Sequence, residues 1–345
     1  MIKEHLNNVE RVRDELKEFN KLRLHASERN KRFSDEMFAK YKESIQQEDI
    51  LFYPNLHSLY KRLSDYFHID KDCIIMGDGS DRIIKYVFET YGDEYTNIIS
   101  TDFCFPMYKV YCDLYNCNFR EVLYTDKLTV DIEGIVDTVD QLCSEKNIVM
   151  LSNPNSPVGD LITMDKMIFL LEKCSEFGTL VVIDEAYIDF CEDHTVINLV
   201  NEYDNLIVIR TFSKGWGSAG VRFGIAASNK KIIQEMFKFR TMHEITGLTY
   251  KWIHLLLDHP YETKVYTKQV VGAKKVLVRF LKTYGLDVVD GHCNWIHLNN
   301  KEDNLQFDDK DILMKSGCSL PHDSRTNWYR ISIPHHIDTL LEVIK

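Results

Sequence analysis

Residues 210–224 read RTFSKGWGSAGVRFG, and two different folds can be argued from them. Gly215, Gly217 and Gly220 spell G-x-G-x-x-G, the turn that in a dinucleotide-binding unit leads from a strand into a helix whose N-terminus holds a pyrophosphate. That fingerprint needs a helix after the third glycine and an acid about 20 residues beyond the turn. Here Gly220 is followed by VRFGIAA (221–227), an apolar run that predicts a strand. With no helix to meet a pyrophosphate the nucleotide reading fails, and no G-x-x-x-x-G-K-[ST] loop occurs elsewhere. The stretch keeps Ser213 and Lys214 at one end and Arg222 at the other, with glycines that let the chain turn tightly between them.

Working outward, short apolar runs predict strands at 73–76, 97–99, 119–123, 148–151, 180–183, 206–209 and 223–227. Helical patterns lie between them, such as 163–177 with Thr163 as N-cap and Gly178 as the stop. This alternation implies an α/β fold, a mostly parallel sheet covered by helices on both faces. From about residue 230 the pattern changes to helices over 248–258 and 261–284. Strands at 287–289, 295–298 and 329–333 follow, with a helix expected at 309–316. This reads as a smaller α+β lobe. Ile2, Leu6, Val9, Leu16 and Phe19 fall near helical spacing and predict a docking helix at the N-terminus. The expected division is an arm over 1–45 that joins the small domain, a large domain over 46–235 and a small C-terminal domain over 236–345.

A chain of 345 residues with 44% hydrophobic residues can bury the core of two or three lobes. Its 42 basic residues against 53 acidic ones give a net charge of -11. No electrostatic footprint for nucleic acid or an anionic membrane is expected, and any anion site must be local. Nine cysteines without C-x-x-C spacing read as reduced thiols in a reducing, cytoplasmic compartment, and no metal site is expected. The charged first residues lack the apolar core of a signal peptide, and no run approaches the ~18 apolar residues of a membrane span.

In open parallel sheets ligands bind outside the carboxyl ends of the strands. After 73–76 comes GDGSD (77–81), small residues opening a helix, which suit either a phosphate or a plain N-cap. After 97–99 comes FCFPMY (103–108), with aromatic rings at the same rim. After 148–151 comes NPNSPVG (153–159), a polar turn dense in residues that fix backbone shape. Asp184, directly after an apolar strand, should be partly desolvated and should want a cationic partner. Most lysines are solvated surface charges, but Lys214, at a strand end beside glycines and near Asp184, would be an amine poised for imine chemistry. An acid, a lysine, an aromatic ring, a phosphate-ready helix start and Arg222 are together what pyridoxal 5'-phosphate uses.

With these motifs the chain resembles the class I/II aminotransferases of fold type I, in the histidinol-phosphate aminotransferase-like branch, from about residue 53 to 333. The pieces that carry the resemblance are GDGSD (77–81), NPNSPVG (153–159), VVIDEAYIDF (181–190), RTFSK (210–214) and SAGVRFG (218–224), in order. The resemblance implies a large cofactor-binding domain with a central sheet sandwiched by helices, plus a smaller α+β domain. It implies that Lys214 forms the Schiff base, Asp184 pairs with the pyridine nitrogen and Tyr187 hydrogen-bonds the phenolic oxygen. Phe105 would stack on the ring. Ser213 and Arg222, with the backbone around Gly79, Ser80 and Asp81, would hold the phosphate, and Tyr53 would reach the phosphate of the other subunit of a homodimer. Arg330, within WYRISI (328–333), matches the arginine that grips a substrate carboxylate. Without the family, an arginine in a strand pattern is costly to bury unless it meets an anion. The implied activity moves an amino group from an amino-acid donor to a carbonyl acceptor.

Three positions depart from the family. Ser156 stands where an asparagine usually bonds the cofactor's phenolic oxygen, so either Ser156 or a shifted Asn155 takes that role. No arginine lies within 320–323 to meet a substrate phosphate, and Arg325 is out of register. TMHEI (241–245) replaces a proline-aromatic-asparagine segment. The expected acceptor is therefore a small carbonyl compound, phosphorylated or not, other than imidazole-acetol phosphate. His243, His322, His335 and His336 are candidates for the substrate pocket. Two alternatives use the same chain: a decarboxylase similar to threonine-phosphate decarboxylase, with Lys214, Asp184 and Arg222 in the same roles, and a non-catalytic binding protein. Intact Lys214, Asp184 and Tyr187 argue against the latter.

Overall fold

The central strands of the large lobe are apolar at almost every position because each is covered on both faces. In a computed structural model, which describes residues 4–9, 21–299, 312–335, 337–338 and 340–341, seven strands form one sheet: β1 (Ile74–Gly77), β2 (Thr96–Thr101), β3 (Asn118–Val122), β4 (Lys146–Ser152), β5 (Leu180–Asp184), β6 (Leu206–Thr211) and β7 (Gly224–Ser228). Their order is β1-β7-β6-β5-β4-β2-β3, and only β7 runs against its neighbours. Side chains alternate between faces along a strand. Thus Val181 and Ile183 join one core layer while Val182 joins the layer on the other side. Burying each of these residues contributes roughly 1.5–3 kcal/mol, enough together to hold the acid that ends β5 out of water.

Helices α1 (Ser80–Tyr91) and α2 (Met107–Leu114) follow β1 and β2, and α3 (Met164–Glu176) follows β4. Gly178, with φ of 63°, turns the chain after α3. Helix α4 (Gly247–Asp258) packs Trp252, Ile253, Leu256 and Leu257 into the core of the large lobe, and the small lobe is built on α5 (Pro260–Thr283) and a four-stranded antiparallel sheet of β8 (Asp287–Val289), β9 (Trp295–Asn299), β10 (Lys315–Leu320) and β11 (Asp323–Ser332), ordered β10-β11-β9-β8. In that sheet Trp295 pairs with Ser332 and His297 with Arg330.

The helix expected at 309–316 is corrected where the chain is described. Ile312–Leu313 pairs in parallel with Leu22–Arg23, and Lys315 opens β10. Gly317, at φ of 66°, sits in the register shift between Lys315 and Cys318, and a glycine in that conformation disfavours a helix. The last strand also begins earlier, at Asp323. Of the expected N-terminal helix, Glu4–Asn8 forms a 3-10 turn and the rest lies outside the described residues.

A third core layer ties the lobes together, with Tyr187 and Phe190 packed among Trp295, Ile296, Tyr266 and Leu24. At the seam two glycines meet: the His292 amide donates to the Gly159 carbonyl at 2.6 Å, and a Cβ on Gly291 would fall 2.2 Å from that oxygen.

Candidate active site

The carboxyl ends of β4, β5 and β6 and the start of α1 surround a cavity of about 500 Å³. Asp184, Lys214, Tyr187, Phe105, Ser156, Ser213, Arg222, Ser80 and Asp81 all line it.

Asp184 is 3% exposed. The Ala186 amide donates to its Oδ1 at 3.0 Å and the Tyr108 hydroxyl to its Oδ2 at 3.1 Å. Burial pushes this carboxyl up to about 6, against the pull of the Tyr108 hydroxyl and the Ala186 amide. Among the described residues no lysine or arginine forms an ion pair with Asp184, but Lys214 lines the same cavity and its charge also pulls the Asp184 carboxyl down, less than Tyr108 and Ala186 do. The neutral Tyr108 is the side chain bonded to it directly.

Lys214 Nζ donates to the Ala26 carbonyl at 2.9 Å and lies 5.5 Å from the centre of the Tyr187 ring. Tyr187 in turn packs edge-on against Trp295 at 4.5 Å. Phe105 sits edge-on to Tyr108 at 5.7 Å.

The anion-binding corner depends on two glycines. Gly79, at φ of 95°, caps α1 without any side chain, leaving the first amides of the helix to a ligand. A Cβ there would meet Arg222 Nη2 at 2.3 Å. A Cβ on Gly224 would meet the Ser80 amide at 2.6 Å. Arg222 itself takes a left-handed φ of 54°, with Nη1 3.4 Å from Ser213 Oγ and Nη2 3.4 Å from the Asp78 carbonyl. These contacts are long for hydrogen bonds and leave the guanidinium available to a stronger acceptor.

Asn155 and Ser156 separate cleanly. Asn155 is spent on backbone groups, accepting from the Val158 amide of its own turn at 2.9 Å and donating to the Phe103 carbonyl after β2 at 3.1 Å. Ser156 faces the cavity, so Asn155 is corrected as a cavity residue. Tyr53 does not line the cavity of its own chain. It is exposed and stacks on His243 at 3.7 Å, and both border an adjoining groove that shares Gly220 and Arg222 with the cavity. His243 is thus beside the site rather than in it.

His322 is not brought to the cavity: in the turn between β10 and β11, at φ of 58°, its Nε2 bonds the Tyr124 carbonyl at 2.6 Å. His335 packs on Asn30, whose Oδ1 accepts its amide at 3.2 Å, and His336 lies outside the described residues. Arg330 lies with its guanidinium 5.2 Å from the Trp295 ring centre and donates through Nη2 to the His25 carbonyl at 3.2 Å, while its buried Nε meets no partner among the described residues. Trp295 links it to Tyr187 and so to the cavity edge.

Sequence reasoning missed Tyr108 and the N-terminal residues Ala26 and Glu28 that line the cavity. Tyr108 had a signal, since it ends the aromatic run FCFPMY (103–108) just past the carboxyl end of β2. Ala26 had none, being 188 residues from the lysine it touches. Among the described residues no cluster of potential metal ligands occurs, and no helix is long and apolar enough to cross a membrane.

The residues present fit pyridoxal phosphate. A buried acid that forms no ion pair among the described residues suits a ring N–H, the glycine cradle under Arg222 suits a phosphate, and the lysine amine reaches the same cavity.

The family described as aminotransferase class I and II matches over residues 20–344. The chain is 29% identical over 316 residues to a histidinol-phosphate aminotransferase of Brachyspira hyodysenteriae, covering 86% of this chain and 84% of that protein. It is 30% identical over 276 residues to one of Christiangramia forsetii, covering 78% and 77%. The fold is similar to that of the Sinorhizobium meliloti histidinol-phosphate aminotransferase in complex with pyridoxal-5'-phosphate (TM-score 0.81, 20% identity, 94% and 88% covered). It is also similar to that of the L-threonine-O-3-phosphate decarboxylase of Porphyromonas gingivalis (TM-score 0.75, 18% identity, 93% and 97% covered).

Proposed function

The chain belongs to the class I and II aminotransferases, in the histidinol-phosphate aminotransferase-like branch, and as a fold type I enzyme it uses pyridoxal phosphate; from that premise we propose that it moves an amino group from an amino-acid donor to a small carbonyl acceptor other than imidazole-acetol phosphate. The observation that carries the chemistry is the pairing of Lys214 with Asp184 on one cavity in which Asp184 is bonded by a tyrosine and an amide and forms no ion pair among the described residues.

When bound, the cofactor supplies an electron sink for the pair left on the substrate Cα. Asp184 would hold a proton on the pyridine nitrogen. Lys214 Nζ would hold the cofactor and would carry the proton to and from the substrate Cα. Arg222, Ser213 and the amides at Gly79, Ser80 and Asp81 hold the phosphate through charge and helix dipole. Phe105 covers the ring, and Tyr187 and Ser156 meet the phenolic oxygen. Arg330 takes the substrate carboxylate, which would satisfy its buried Nε. Tyr53, exposed and stacked on His243, completes the phosphate site of a second copy in a homodimer. The division into an arm over 1–45, a large domain over 46–235 and a small domain over 236–345 belongs to the same reading, as does a cytoplasmic location.

The reading of the acceptor rests on the absence of an arginine within 320–323 and on TMHEI (241–245), whose His243, Glu244 and Ile245 border the groove that adjoins the cavity. The test is to incubate the holoenzyme with amino acids, amino-acid phosphates and 2-oxo acids while following keto product and carbon dioxide. Keto product without carbon dioxide is expected, with imidazole-acetol phosphate turned over poorly. Carbon dioxide without keto product would overturn transamination in favour of decarboxylation of an amino-acid phosphate.

A further inference from the structure

Helix α2 carries chemistry at both ends. Its first turn brings Tyr108 to Asp184, and one turn later the same helix presents Cys112, which has no part in the site above. The helix then stops at Asn116, whose φ of 59° is left-handed. The Cys117 amide donates back to the Cys112 carbonyl at 2.9 Å, and the Asn116 amide to the Asp113 carbonyl at 3.2 Å. This pair of bonds defines a Schellman stop, in which the residue two past the left-handed turn's predecessor folds its side chain onto the last full turn of the helix. Ordinarily two apolar side chains meet there. Here both are cysteines.

The surroundings make room for this contact. Gly92 faces Cys117, and a Cβ there would come within 3.1 Å of its sulfur. Cys112 is 1% exposed, whereas Cys117 is only half buried. The two thiols are unequal in access: Cys112 lies in the core, while Cys117 at the helix stop is half buried with its Sγ 3.9 Å from the Tyr115 carbonyl, and the neighbouring Cys112 draws the Cys117 thiol down. A reachable thiol beside a second, buried thiol is the arrangement of an attacking and a resolving cysteine.

We propose that Cys112 and Cys117 are a peroxide-reactive dithiol that closes to a disulfide across the C-terminal turn of α2. The Cys117 thiolate attacks one peroxide oxygen, the O–O bond breaks, and hydroxide leaves to be protonated as water, giving a sulfenic acid. Cys112 then gives up its proton and its sulfur attacks that of Cys117, expelling the second oxygen as water. Two thiols and one peroxide become one disulfide and two waters, and both electrons lost by sulfur reduce the peroxide. A dithiol reductant reverses the bond by exchange.

The experiment treats holoenzyme with hydrogen peroxide, blocks remaining thiols by alkylation under denaturing conditions, and maps peptides by mass spectrometry. In the wild type the peptide holding both cysteines is expected unalkylated and lighter by two hydrogens, and alkylated again after dithiothreitol. Cys112→Ser is expected to stop at a Cys117 sulfenic acid captured by dimedone, and Cys117→Ser to leave Cys112 reduced. In oxidised wild type, amide exchange over 113–117 slows. The proposal is overturned if both thiols stay alkylatable while the exposed Cys143 is oxidised, or if Cys117 bonds any cysteine other than Cys112.

Discussion

Asp184 and Glu185 are neighbours in sequence, both buried, and they live by opposite rules. Glu185 turns away from the cavity and is fully matched: the Val196 amide donates to it at 2.6 Å, Thr195 Oγ1 at 2.7 Å and Arg210 Nη1 at 2.9 Å. Arg210 extends the pairing through Nη2 to Asp189 at 2.9 Å. Asp184 faces the cavity with a tyrosine and an amide and, among the described residues, no ion pair, the Lys214 charge reaching it only across the cavity. A buried charge with all its partners belongs to the scaffold. A buried charge whose missing partner is a cation marks where a cationic ring is to be bound.

The sharpest way to test this contrast is to remove the chemistry and keep the cavity. Lys214→Ala is expected to lower transamination by about 10⁴-fold, the upper end of what a positioned proton-transfer group contributes, and to abolish borohydride fixation of the cofactor to the protein. Retained fixation would place the anchoring amine elsewhere. Next comes Glu185→Gln, which leaves Arg210 partly unmatched in the core and is expected to cost about 3–5 kcal/mol of stability, read as a fall in Tm with or without cofactor.

Asp184→Asn should do the reverse to the cofactor-free protein. Its carboxyl titrates near 6 in the fold against 3.8 ordinarily. Between those values the folded state binds more protons than the unfolded state, so its contribution is lost as pH rises through that window. The asparagine variant lacks this loss and is expected to be more stable than wild type at neutral pH by up to about 3 kcal/mol, with unchanged stability at pH below 3.8, while binding the cofactor more weakly. A cofactor-free variant less stable than wild type at neutral pH would remove the distinction between the two acids. The smallest effect belongs to Tyr108→Phe, which deletes one bond to Asp184 and is expected to weaken cofactor affinity roughly fivefold, about 1 kcal/mol. It should also shift the pH at which the bound cofactor changes absorbance. No change in either would make Tyr108 a packing residue.

The seven strands of the large sheet were legible to within one or two residues, the central ones because burial on both faces leaves long apolar runs, while the edge strand β3, NFREV, is largely exposed. LVVI before Asp184 could be little else. The polar strand ends were legible for the same reason, since an acid or a lysine directly after such a run stands out. Contacts between distant segments were not legible: nothing near Ala26 announces its bond to Lys214. The small lobe was harder because its strands are partly exposed and irregular, and KSGCSL at β10 offers neither helical nor strand periodicity. The choice between Asn155 and Ser156 depended on which side chain the backbone consumes, a matter of one bond inside the turn and one to the distant Phe103 carbonyl rather than of residue type.

The meeting of Gly159 with Gly291 has a mechanical consequence. Because the turn bearing Ser156 is bonded through Gly159 to the entrance of the small lobe's sheet, it acts as a lever whose handle is the small lobe and whose tip is the cavity wall. Rocking of that lobe when a substrate enters is therefore expected to be felt at Ser156, without passing through the large sheet. Wedging the joint with Gly291→Ala, where no side chain fits, should alter the absorbance of bound cofactor even though residue 291 lies outside the cavity lining; an unaltered spectrum would show that the lever is not coupled.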